Sequence, residues 1–372
     1  MEKNLRTNSL SEIERVLKTR LIHDTHELAK RLELDEIVTP TTEKAAKITP
    51  TLFPESLLNR VQKGNAEDPI LLQFMPSPHE LEITPNFSCD PLCEQKLDVS
   101  ERQTASSSPS CIMQKYYGRV LVITTNACAC QCRFCFRRYF PKNRALFPLS
   151  KEQITGSNED ESNVSALLDN AFETVRKDDS ISEIILSGGD PLTLSNKRLK
   201  TLLHYIGTIT HVKRVRFHSR IPVLSPHRID DDFPSSEDFP PVEVGVPRVL
   251  HLVLHVNSPN EIDEGVAVAL SILRRKGFVL TSQTTLLKGV NDDVKELTAL
   301  FEKLINLGVL PYYLHQLDRV QGSAHFETTI ASGREIIEEL SVRLPGYAVP
   351  RYVREIPGRL MKTNLFIDRD VD

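Results

Sequence analysis

The stretch "RVLVITTNACACQCRFCFRRYF" (Arg119–Phe140) changes character part-way along. After Arg119 its next six residues are apolar or β-branched, and the seven read as a buried strand. The residues after them place four of the chain's seven cysteines within eight positions and then run into Phe-Arg-Arg. A strand that breaks off into a loop dense in chemistry is the unit from which the rest of the chain can be read.

Working outward, the same rhythm recurs downstream. Strand-like runs "SEIILSGG", "RVRFHS", "HLVLHVN", "FVLTSQTTLL" and "PYYLHQLD" alternate with helix-like windows such as "NKRLKTLLHYIG" and "VKELTALFEKLINLG". Repeated β/α alternation implies a parallel sheet with right-handed crossovers. Successive strands end on notable groups: the cysteines, "GGD", "HSR", His255, Gln283 within its strand, and Asp318. Polar groups at the ends of many strands favour a barrel-type face over the single switch point of an open doubly wound sheet. The expectation is an α/β fold, a partial (β/α)6 TIM-like barrel. It has an N-terminal helical extension over 1–115, the barrel over 116–330, and a C-terminal segment over 331–372.

Composition sets the outer bounds. The 372 residues are 40% hydrophobic and 26% charged, with a net charge of -4, so bulk electrostatics gives no reason to expect nucleic-acid binding. No apolar run reaches the length of a membrane span, and the amino terminus lacks a secretory apolar core. A cytoplasmic location without membrane partners is expected, and there clustered cysteines serve metals or redox chemistry more often than disulfides. The Ser-rich stretch from Cys93 to Cys111 and the acidic, Pro-rich "DDDFPSSEDFPPVEVGVP" read as loops.

Cys128, Cys132 and Cys135 stand in the spacing C-x3-C-x2-C, with Cys130 inside the loop. Three thiolates suit an iron-sulfur cluster with one iron open. Four thiolates would also satisfy a zinc knuckle, a binding module without catalysis, although no second C-x2-C follows elsewhere in the chain.

With Phe134 between the last two cysteines, this pattern resembles the radical S-adenosylmethionine enzymes. The motifs "CRFCFRRYFP", "LSGGDPL", "RFHSRIPV", "NSPNEID", "LLKGVND", "PYYLHQLDRVQGSAHF" and "GYAVPRYVREIPGRLMKTNL" follow in the order of the lysine 2,3-aminomutase family. They are most similar to its short branch, which serves β-lysylation of elongation factor P. The resemblance covers about Thr51 to Leu365.

It implies a [4Fe-4S] cluster on Cys128, Cys132 and Cys135, with S-adenosylmethionine on its open iron. Ser187, Gly188, Gly189 and Asp190 would support that cofactor, the glycines by close backbone approach and Asp190 by accepting from its ammonium, with His255 and Gln283 beside them. Pyridoxal 5'-phosphate is implied on Lys362, its phosphate near Arg119. Arg137 would pair with the substrate α-carboxylate, while Arg138 reads as structural or phosphate-directed. Asp318 and Glu355 would hold the ε-ammonium of L-lysine, which two carboxylates favour over glutamate. The implied activity is isomerisation of free L-lysine to β-lysine, or a related aminomutation for another pathway. Its implied partners are an electron donor such as flavodoxin or ferredoxin and, indirectly, elongation factor P with its lysyl-transferring synthetase.

The chain departs from the longer mutases in two ways: "GRLM" replaces several glycines before Lys362, and no cysteine follows Cys135. A structural zinc site of the kind those mutases carry is therefore not expected.

Overall fold

The computed structural model describes residues 11–96, 111–141, 143–147, 161–241 and 248–368. Most of the Ser-rich stretch read as a loop, and 242–247 of the Pro-rich one, lie outside them. The chain begins with short helices and irregular segments: α1 (11–17), α2 (Thr25–Arg31) and α3 (Pro40–Ile48). Strand β1 (Leu21–Ile22), between α1 and α2, pairs antiparallel with β2 (Phe53–Pro54), which follows α3. Local chemistry sets the helix starts. Asp24 caps α2 by accepting from the His26 and Glu27 backbone N–H groups, and Thr39 caps α3 ahead of Pro40.

The six runs read as strands are all strands of one sheet: β4 (Arg119–Thr125), β5 (Glu183–Gly188), β6 (Arg214–Ser219), β7 (Val249–His255), β8 (Phe278–Leu286) and β9 (Leu310–Gln316). Each pairs parallel with the next. The sheet also runs past residue 330: β10 (Arg351–Arg354) adds a further parallel strand beside β9, and β11 (Thr363–Asn364) closes that edge antiparallel. At the other edge β3 (Ile112–Met113) pairs antiparallel with β4. The result is a nine-stranded sheet in strict sequence order, mixed α/β in class and without a switch point.

The crossover helices are α4 (Glu161–Lys177), α5 (Asn196–Gly207), α6 (Glu264–Arg275), α7 (Val294–Asn306) and α8 (Ile330–Arg343). Ser195, Asp263, Asp293 and Thr329 cap the starts of α5 to α8. In α7 the buried residues are Leu297, Leu300, Phe301 and Leu304, one stripe at helical spacing.

Alternation along the strands sorts side chains onto two faces. One face joins the main core through Val120, Val122, Ile184, Leu186, Val215, Phe217, Leu250, Leu252, Leu280 and Leu314. The registers place Arg119, Glu183 and Arg214 together on the other face, with Arg216 beside His251 and His255 beside Gln283 and Tyr313. All charged and imidazole side chains of β4 to β9 belong to this second face. Such groups are costly in an apolar core, so the pattern marks the face that has work to do.

Candidate active site

The cysteine loop leaves β4 and is pinned from three directions. The Gln131 and Arg133 N–H groups donate to the Leu52 and Gln73 carbonyls, both at 2.9 Å. The Gly189 and Asp190 N–H groups donate to the Thr125 and Ala127 carbonyls, both at 2.7 Å. That last contact explains the double glycine. A Cβ on Gly188 would stand 2.4 Å from the Thr125 oxygen, and one on Gly189 would stand 2.1 Å from that of Ala127. Gly188 also has φ +121°, a conformation that favours glycine. The backbone these glycines approach so closely is that of the cysteine loop itself.

Fully buried Arg133 completes the clamp by forking onto Glu80, with Nε and Nη2 both 2.7 Å from its oxygens. Arg138 shares the same carboxylate at 2.6 Å and also reaches the Thr49 hydroxyl and the Gln321 carbonyl. Its structural reading is the one its contacts support.

Within the loop, Cys130 is buried in the core, and its Sγ lies 3.7 Å from that of Cys132. Burial pushes the Cys128 thiol well up and that of Cys135 up to about 11. Cys132 goes the other way, down to about 6, through a hydrogen bond from Cys130 and the nearby Arg220 guanidinium. Among the described residues, no three His, Cys, Asp or Glu side chains are gathered as ligands of a single metal ion.

Asp190, expected to meet a ligand ammonium, is already committed. Ser219 Oγ donates to both its oxygens (2.8 and 3.0 Å), and the Leu192 and Arg220 N–H groups donate to one each. Burial still lifts its carboxyl to about 6. This carboxylate ties the end of β5 to the end of β6. His255, by contrast, keeps a buried Nε2 without a partner and sits edge-on to Phe134 at 5.8 Å. Burial lowers its pKa to about 3, so it is neutral. Gln283 is its neighbour in register.

Arg137 forks onto Glu94, with Nε 2.7 Å from Oε2 and Nη2 2.8 Å from Oε1, while Nη1 donates to Ser187 Oγ at 2.9 Å. A protein carboxylate therefore occupies the guanidinium edge that was expected to take a substrate carboxylate.

At the β10 edge, Glu355 accepts from Lys362 Nζ, Lys115 Nζ and the Tyr116 hydroxyl. Lys362 leads this set, and together these partners hold Glu355 at about 2 despite burial. Its expected place beside a substrate ammonium is thus filled from within the chain. Asp318 is different. It makes no ion pair among the described residues, and burial raises its carboxyl to about 7. Between this edge and the cysteine loop, burial and then the charges of Arg216, Lys362 and Arg137 push the His218 imidazole well below its ordinary value.

Lys115 and Tyr116 line a cleft with Arg119, Glu355, Met113, Leu121 and Ile185. Neither was singled out from sequence, nor were Glu80 and Glu94. A Lys-Tyr pair just before a strand carries no motif of its own.

Comparison with known proteins decides what these features belong to. No family model matches the chain. The L-lysine 2,3-aminomutase of Escherichia coli K12 is 37% identical over 93% of this chain and 92% of its own length. That of Haemophilus influenzae is 36% identical over 92% of each, and that of Clostridium subterminale 33% identical over 82% of this chain and 66% of its own length.

The chain belongs to the lysine 2,3-aminomutase family.

It is accordingly an enzyme, an isomerase, and an aminomutase of the radical S-adenosylmethionine superfamily. Family membership removes the non-catalytic zinc-knuckle reading. No helix among the described residues is long and apolar enough to cross a membrane.

Proposed function

We propose that this aminomutase acts on free L-lysine and yields β-lysine, for attachment to elongation factor P. The observation that carries the substrate is Asp318, a half-buried carboxylate that makes no ion pair among the described residues, on a site face otherwise rich in cations. A ligand ammonium would complete it, and burial makes that pairing selective.

The chain's own groups fit the cofactors of the reaction. Cys128, Cys132 and Cys135 would hold a [4Fe-4S] cluster as three thiolates on one clamped loop. The orphaned His255 Nε2, with Gln283 beside it, suits a polar ligand such as S-adenosylmethionine. The Ser187–Asp190 turn would hold the loop against that ligand by backbone fit. Lys115 and Arg119 offer two cations to the phosphate of pyridoxal 5'-phosphate, and Met113, Leu121 and Ile185 offer an apolar wall to its ring. When bound, the first pair would supply radical chemistry and pyridoxal phosphate the conjugated system that an amino shift requires.

Lys362 would attach pyridoxal phosphate through Nζ, which first needs a proton removed and its bond to Glu355 released. Glu355 then keeps Lys115 and Tyr116 as partners. Arg137 would exchange Glu94 for the substrate α-carboxylate, and Asp318 would take the ε-ammonium. These two contacts fix the amino acid at both ends, which positions the migrating nitrogen. An electron donor of the flavodoxin or ferredoxin kind would serve the cluster in a cytoplasmic setting. The domain reading is kept as 1–115, 116–330 and 331–372, with the sheet taken as a partial barrel whose last segment closes the pyridoxal phosphate site.

The test is anaerobic reconstitution with iron and sulfide, followed by assay with lysine, S-adenosylmethionine and a reductant. A brown protein that forms β-lysine is expected. A brown protein that cleaves S-adenosylmethionine but leaves lysine untouched while converting another amino acid would replace the substrate. Genetic loss of the enzyme that leaves elongation factor P fully β-lysylated would replace the purpose.

A further inference from the structure

The "HSR" at the end of β6 contains an arginine that the preceding roles do not use. Arg220 is buried, and both terminal nitrogens of its guanidinium are engaged, whereas Nε has no partner among the described residues. Nη2 donates to Glu261 Oε2 at 2.8 Å and to the Gln73 side-chain oxygen. The plane stacks on Phe74, 4.6 Å from its centroid, and lies 6.0 Å from that of Phe134. Its backbone N–H is tied to Asp190 at 2.8 Å. Glu261 is fully buried and is itself fixed by the Asn257 and Ser258 N–H groups at 2.9 and 3.0 Å and by Gln73 Nε2 at 3.2 Å. So held, Arg220 directs Nη1 at Cys132 Sγ, 3.1 Å away.

We propose that Arg220 is a positioning residue that tunes the cluster, donating a hydrogen bond to the Cys132 sulfur and making the cluster easier to reduce. This rests on the reading of Cys132 as a cluster ligand. Reduction brings one electron from an external one-electron donor, which is oxidised, and no bond or proton on Arg220 changes. The added charge spreads onto the ligating sulfurs, so an N–H aimed at one of them stabilises the reduced form more than the oxidised one. Because Glu261 balances the guanidinium charge, the effect is carried by the oriented N–H bond. Phe74 and the Gln73–Glu261 bridge keep that bond from turning away.

The experiment compares reconstituted parent protein with Arg220→Met, Arg220→Lys and Glu261→Gln, taking iron and sulfide content first and then an electron-paramagnetic-resonance redox titration. Iron in the parent tests the cluster reading, and the midpoint potentials test this one. At equal iron, Arg220→Met should lower the ratio of reduced to oxidised cluster about tenfold at fixed potential, a shift of about 59 mV for one electron. Arg220→Lys should recover part of it. Glu261→Gln leaves the guanidinium charge unbalanced and should shift the midpoint the opposite way. A merely structural arginine would not produce shifts of opposite sign. Unmoved midpoints at full iron, or shifts of the same sign in Arg220→Met and Glu261→Gln, overturn the proposal. So does loss of iron from all three variants, which would make Arg220 a scaffold of the loop alone. A parent protein without iron removes the cluster reading and this proposal together.

Discussion

The two ends of the site treat charge in opposite ways. Around the cysteine loop, charges close onto protein partners: Arg133 and Arg138 onto Glu80, Arg220 onto Glu261, Arg137 onto Glu94. At the β10 edge the pairing is uneven. Three donors, Lys115, Tyr116 and Lys362, crowd one carboxylate, Glu355, while Asp318 has no ion pair among the described residues. A region whose charges all have protein partners can hold its shape before a ligand arrives. A region with a surplus of donors in one place and a bare carboxylate in another is completed by its ligands.

The largest effect that could break this contrast is at Lys362. Lys362→Ala should abolish amino migration while leaving iron content and reductive cleavage of S-adenosylmethionine intact, because the cysteine end does not depend on it. Product chromatography and iron analysis on the same preparation check this; loss of iron would mean that the two ends are not independent.

Next comes Asp318→Asn. Losing one partner of a buried charge pair costs about 3–5 kcal/mol, roughly a hundred- to several-thousand-fold in the apparent KM for lysine. Iron and pyridoxal content should not change. Unaltered kinetics would mean that substrate is not held by its side-chain charge.

A pH profile sharpens the same point. Burial raises the Asp318 carboxyl to about 7 in the free protein. Only the ionised form grips an ammonium, so the apparent KM should be flat above that value. Below it, KM should rise about tenfold per unit of falling pH until other groups titrate. Asp318→Asn should lose this slope.

On the matched side, Gly189→Ala drives a Cβ against the Ala127 carbonyl. Overpacking of this kind costs about 1–3 kcal/mol, visible as a lower urea midpoint, and the cysteine loop should hold iron less well although no thiol is touched. The smallest effect is expected at Cys130. Cys130→Ser should keep its iron, and loss equal to that of the Cys128, Cys132 or Cys135 serine variants would make it a fourth ligand.

The same contrast governs what could be read from sequence. The strands of the sheet's centre were legible because β-branched runs carry their own period, and the cysteines because their spacing is local. "RYVR", which forms β10, is four residues long, carries a charge at each end and follows a proline, so only its pairing with β9 identifies it. The partners that define each site residue were harder still. Lys115 meets Glu355 across 240 positions, Arg220 meets Gln73 across 147 and Arg137 meets Glu94 across 43. Glu94 and Glu80 look like surface charges in the sequence, and nothing local says which arginine each will find. Asp190 shows the converse, a motif residue whose partners turn out to be Ser219 and the Leu192 and Arg220 backbone.

The clamp on the cysteine loop also orders events during synthesis. Leu52, Gln73 and Glu80 leave the ribosome before the cysteines, whereas Glu261, which anchors Arg220, leaves long after them. A nascent chain paused between Cys135 and Glu261 therefore has its thiols and half of their support, and the guanidinium beside Cys132 has no anchor. Contacts this distant in sequence form late in folding. On the reading of this loop as a cluster site, delivery of iron and sulfur would follow the emergence of Glu261, to a loop whose supports are all in place.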